Sequence, residues 1–104
     1  MTGQGASTHD GWDALVIHPE DDVAVVLRDV RSGESLRVRR AGVVLRIDVQ
    51  ELIPLGHKIA LHRLGKGKPV RKYGECIGVA TADIGAGAHV HVHNMASRRA
   101  RTLV

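Results

Sequence analysis

The sequence predicts a mainly β fold in one small domain, and three of its features lead there. The apolar side chains are almost all aliphatic, with Trp12 and Tyr73 the only aromatics, and such a composition favours strands wherever the residues are β-branched. The apolar stretches are short. Twelve Gly and three Pro in 104 residues break them at intervals too close for long helices. A chain of this length builds one core rather than two. The expected layout is an N-terminal flexible segment over 1–12, a β domain over 13–96 and a basic C-terminal tail over 97–104.

Each element has its own signal. Ala14 to His18 is an apolar run stopped by Pro19, and Val23 to Leu27 is a second one bounded by Asp21-Asp22 and Arg28-Asp29; both read as buried strands. Arg31-Ser32-Gly33-Glu34 carries turn residues, after which Ser35 to Val38 alternates with period two. Gly42 to Val49 alternates likewise, with Val43, Leu45 and Ile47 opposite Val44, Arg46 and Asp48. Ile53-Pro54-Leu55-Gly56 reads as a tight turn that delivers His57-Lys58 into a strand over Ile59 to Leu64. Gly65 to Pro69 is a loop, Tyr73-Gly74 breaks the chain before Cys76 to Ala80, and Ala88 to His93 is expected as the last clear strand. The best candidate for any helix is a single turn around Val49 to Leu52. No internal repeat is evident.

Composition narrows the function. The formal charge of +4 and the pI near 9.8 suit an anionic partner of some kind. Nucleic acid is disfavoured, because two aromatics leave little for bases to stack on and no groove-reading helix is in sight. No apolar run approaches the roughly 18 residues of a membrane span, so the expectation is a soluble cytoplasmic protein without membrane contact. The single Cys76 cannot form an internal disulfide or hold an iron–sulfur cluster alone, and it reads best as a small buried hydrophobe.

The most informative segment is His89-Val90-His91-Val92-His93-Asn94. On a strand its three imidazoles share one face. A His-x-His pair spans about 6.6 Å between Cα atoms, within reach of one ion, whereas His89 and His93 stand about 13 Å apart. A pair is therefore the plausible unit, with the third imidazole left to contact substrate, act as an acid or base, or orient a ligand. The competing possibility is a solvated sheet face or a subunit contact. His57-Lys58 projects from a turn, where either a functional group or an ordinary polar turn would sit. Lys72-Tyr73 could hold an anion, unless Tyr73 plugs the aliphatic core. His62 reads as an exposed strand residue, and His9 and His18 as incidental.

These motifs resemble a known family. Val26-Leu27-Arg28-Asp29-Val30 followed by Ser32-Gly33-Glu34-Ser35-Leu36 is similar to the opening of SAF domains, which have a β-clip fold. Three segments in order, Ile53 to Leu61, Val70 to Gly78 and His89 to Asn94, resemble the amino-terminal module of altronate and galactarate dehydratases, and the likeness runs from about Asp13 to Met95. It implies a lyase that removes the proton α to a carboxylate and expels a β substituent, either water from a sugar acid or sulfite from a sulfo-acid such as sulfolactate. It further implies a large catalytic subunit as partner and a divalent metal, iron (Fe2+) or manganese. On the same footing it implies His89 and His91 as metal ligands, His57, Lys58 and His93 as catalytic groups, and Lys72, Tyr73 and Asn94 as substrate contacts. The alternatives left open are a sulfolactate sulfo-lyase small subunit and a stand-alone sugar-acid or metal-binding module.

Overall fold

The structure, a computed structural model, describes residues 11–97, so His9 and most of the basic tail lie outside the described residues. It consists of strands and turns: β1 (Ala14–Val16), β2 (Val23–Val26), β3 (Ser35–Arg40), β4 (Val43–Asp48), β5 (Lys58–Ala60), β6 (Pro69–Lys72), β7 (Glu75–Ala80), β8 (His89–Val90) and β9 (Met95–Ser97). Six form one sheet in the order β4-β3-β1-β2-β5-β8, and β6-β7-β9 form a second. All pairs are antiparallel except β1 with β3. The mainly β expectation holds, and among the described residues no helix is long and apolar enough to cross a membrane.

Three local expectations are corrected. The helical turn at Val49 to Leu52 does not form, because its backbone donors are used across the fold: Val49 N–H donates to Glu34 O and Gln50 N–H to Gly87 O. The strand expected to run to Leu64 ends at Ala60, where the chain bends into the next turn. The last strand covers only His89–Val90; His91 to Asn94 turn back, and the chain then adds β9 to the second sheet.

An internal repeat, which the hydrophobic pattern did not reveal, organises these elements. Four segments share an apolar residue, Gly three positions later and a second apolar residue three further on: Val30-Gly33-Leu36, Ile53-Gly56-Ile59, Leu64-Gly67-Val70 and Ile84-Gly87-Val90. All eight apolar residues are buried. The four glycines have φ between 84° and 94°, the left-handed region that lets the chain turn sharply between two anchored side chains. Each turn is closed by the same backbone bond, from Glu34, His57, Lys68 and Ala88 N–H to the carbonyl three residues back. The turns pair two by two through the bridges Val30↔Ile53 and Leu64↔Ile84. Each pair is locked by one aspartate, Asp29 Oδ1 accepting Leu55 N–H at 2.7 Å and Asp83 Oδ1 accepting Lys66 N–H at 2.8 Å. Within each pair lies a hairpin, β3/β4 turning at Ala41-Gly42 and β6/β7 at Tyr73-Gly74, and all four of these turn residues have positive φ. The fold is thus two copies of one turn–hairpin–turn unit.

Each unit has its own core. Val30, Leu36, Ile53 and Ile59 belong to one apolar cluster, and Leu64, Val70, Ile84 and Val90 to the other. Strands β2 and β5 form the wall between them, because alternating side chains face opposite ways: Ala24, Val26 and Ile59 enter the first core, Val23 and Ala60 the second. Asp21, only 2% exposed, ties the β1–β2 loop to the β6/β7 turn by accepting N–H groups from His18, Tyr73 and Gly74 at 3.1, 2.9 and 2.8 Å. Those three bonds satisfy a carboxylate that would otherwise be costly to bury.

Candidate functional site

The two units meet at β5 and β8, paired through Lys58↔Val90 and Ile59↔His89. His57 ends the second turn of the first unit, and His89 opens the strand after the last turn of the second. The pairing therefore brings side chains separated by some thirty positions into one cluster. His57 Nδ1 lies 2.9 Å from His89 Nε2. The His57 and His91 rings stack at 4.5 Å between centroids, and His89 and His91 at 5.3 Å. One nitrogen from each of these three rings lies within 4.8 Å of the others.

The turn after β8 rearranges the row of histidines that a longer strand would have presented. It folds His93 back so that its ring is 5.3 Å from that of His89. Asn94 holds this turn from inside: its Oδ1 accepts His91 N–H at 2.9 Å, its Nδ2 donates to His89 O at 2.8 Å, and it is 9% exposed. Both ends of the amide are thus engaged with backbone that carries histidines.

The electrostatics follow from crowding. Burial lowers the pKa of His89 below 6.5, and the charges of His57, His91 and His93 lower it further, against a small opposing effect of Glu51. For His91, burial and the charges of His57, Lys58 and His93 act in the same direction. Neutral imidazoles with free lone pairs are what a metal ion or an incoming proton requires. Lys58 is half-buried, and its pKa is lowered first by burial and then by the charge of Lys72, so two ammonium groups act on one region beside the histidines.

Of the residues singled out from sequence, His57, Lys58, His89, His91 and His93 come together, and Lys72 joins them through its charge on Lys58. Tyr73 is no core plug: it is 56% exposed, and its ring lies under Lys72 Nζ at 4.6 Å. The other described histidines stand apart. His62 pairs with Asp22 at 2.9 Å, His18 accepts Glu20 N–H, and Cys76 is half-buried with its thiol directed at Gly78 O. Sequence reasoning missed Glu51, whose Oε2 accepts His89 N–H at 3.1 Å and which groups with His89 and His93. A lone Glu in a loop gives no spacing signal to find it by.

Residues 12–98 match the family model for the altronate/galactarate dehydratase SAF domain. The chain is 50% identical over 80 residues to altronate dehydratase of Escherichia coli (strain K12), covering 77% of this chain and 15% of that protein. It is 45% identical over 80 residues to altronate dehydratase of Bacillus subtilis (strain 168), again 15% of that protein. It is also 38% identical over 89 residues to the (2R)-sulfolactate sulfo-lyase subunit alpha of Chromohalobacter salexigens, covering 82% of this chain and 95% of that subunit. The matched region is thus a small part of the dehydratases and nearly the whole of the sulfo-lyase subunit.

Proposed function

We propose, on the premise that the chain belongs to the altronate/galactarate dehydratase SAF-domain family, that it is the histidine-bearing small component of a lyase and works on an acidic substrate together with a larger catalytic chain. Its homologues are lyases by name, dehydratases and sulfo-lyase subunits. The observation that carries the proposal is the convergence of His57, His89 and His91 at the junction of the two units.

Three imidazole nitrogens fit a divalent first-row ion, and imidazole donors favour iron(II) over manganese(II). Held by these rings, such an ion would act as a Lewis acid toward a substrate carboxylate. Of the other residues, some act on the substrate and some hold those that do. Lys58 and Lys72 offer paired positive charge to an acid group, and binding an anion there relieves their mutual repulsion. Tyr73 sets the position of the Lys72 ammonium through its ring face. His93, exposed at the turn, takes or returns a proton at a ring nitrogen, and His57 is placed to do the same when it is not a ligand. Asn94 serves the site by holding the backbone that presents His89 and His91.

The substrate is a sugar acid such as altronate, which loses water, and the partner supplies most of the pocket. A second reading, removal of sulfite from sulfolactate, is favoured by one fact: the match spans 95% of a subunit of that enzyme. Co-expression with a large dehydratase-type chain, followed by assays on altronate, galactarate and sulfolactate, tests both. Turnover is expected only from the complex. Robust turnover by this chain alone would sink the small-component reading, and activity confined to sulfolactate would select the second.

A further inference from the structure

Beside the three-histidine cluster, and sharing His89 with it, lies a second group of donors to which neither the family match nor the names of the relatives assign a role. We propose that Glu51, His89 and His93 form a divalent-cation position in their own right, able to hold an ion without His57 and His91. One carboxylate oxygen and one nitrogen of each imidazole lie within 4.8 Å of one another. Two imidazoles with one carboxylate form a donor set that holds iron(II) and related ions while leaving coordination positions open.

The local structure favours this set in three ways. Glu51 is already oriented toward the group, since its Oε2 accepts the His89 backbone N–H at 3.1 Å. The turn clamped by Asn94 brings His93 back toward His89, with the rings 5.3 Å apart, where a continued strand would have carried it away. The carboxylate supplies a negative charge that the three-histidine cluster lacks, and opposite charge favours a dication at this group. His89 can take part in either set because an imidazole ring can ligate through either of its nitrogens. The two groups are therefore two adjacent seats that share His89, one all-nitrogen and one nitrogen–oxygen. The first seat is half-buried, whereas the second has Glu51 and His93 exposed around a half-buried His89, and an ion in it would keep positions free for the hydroxyl or carboxylate oxygens of a polyhydroxy acid.

The test removes the first seat and asks whether the second remains. Cobalt(II) binding to the full chain is measured by equilibrium dialysis for wild type, His57→Ala/His91→Ala, the same double variant with Glu51→Gln added, and Glu51→Gln alone, with far-ultraviolet circular dichroism to confirm folding. The double variant is expected to bind one cobalt ion, and adding Glu51→Gln to weaken that binding by about tenfold or more, since disturbing even the partners of ligands costs 10- to 100-fold. No binding by a folded double variant, or no effect of Glu51→Gln within it, overturns the proposal. Should the double variant fail to fold, His91→Ala alone takes its place with the same two outcomes required. The single Glu51→Gln variant separates this proposal from the preceding one: cobalt retained there but lost from the triple variant upholds the three-histidine seat whatever becomes of the second.

Discussion

At the scale of single residues, burial and then the charges of neighbouring side chains lower the pKa values of His89 and His91. The folded-state pKa values of His89 and His91 lie below the ordinary 6.5, so as pH falls the unfolded chain takes up these protons first. Their contribution to stability is therefore full above 6.5 and is lost as pH drops through 6.5 toward the lowered folded values. With a chelator present to remove ions, the melting temperature is expected to fall between pH 7 and pH 5, and less steeply in His91→Ala. A wild-type profile that is flat across this range, or parallel to that of the variant, would refute the assignment. The sequence made five of the clustered residues visible, because three histidines in register serve no packing need. It could not show the carboxylate of Glu51 beside His89 or the inward amide of Asn94, since both depend on how the chain folds around Val90.

At the scale of elements, the turns carry the fold. Gly87 has φ of 84°, and a side chain there would run into the Asp48 carbonyl as well as strain the backbone. Gly87 O also accepts Gln50 N–H, and Gly87 N–H donates to Ala60 O, so the residue links both units. Gly87→Ala is expected to lower stability by more than about 1 kcal/mol, beyond the usual gain or loss for a glycine that can accept a Cβ, as read from urea unfolding. Gly85, with open space around it and no positive φ, is the control, and equal effects at the two positions would contradict this account. The first four strands were legible because their apolar runs are bounded by charges and turn residues. The shorter late strands were not: His89 to His93 alternates as a strand would, yet Asn94 bonds to the backbone of both His91 and His89 and bends the segment. The repeat is faint in the sequence because two apolar positions and one glycine are all that recur in all four segments.

At the scale of the whole molecule, several apolar side chains near the site lack cover. Val92, between His91 and His93, is 81% exposed, Leu55 beside the His57 turn is 61% exposed, and Leu52 next to Glu51 is 56% exposed. Ile17, Val43 and Val44 are exposed elsewhere, so these three side chains count as a contact surface only within the proposed complex. In the proposed complex, amide hydrogen exchange over Ala88 to Asn94 is expected to slow when the larger chain is added, while the Ala41-Gly42 hairpin tip stays unchanged. No change in Ala88 to Asn94 would remove the site from the interface.

The position of the cluster between the two units has a thermodynamic corollary. His57 comes from one copy of the duplicated unit and His89 and His91 from the other, and β5 and β8 join across that line through only two registered residue pairs. Anything gripped by all three rings is a clasp over a seam. Its binding free energy becomes cohesion between the halves, growing as RT ln(1 + [L]/Kd) with the free concentration of the ligand, so occupancy of the site and integrity of the fold are one linked equilibrium.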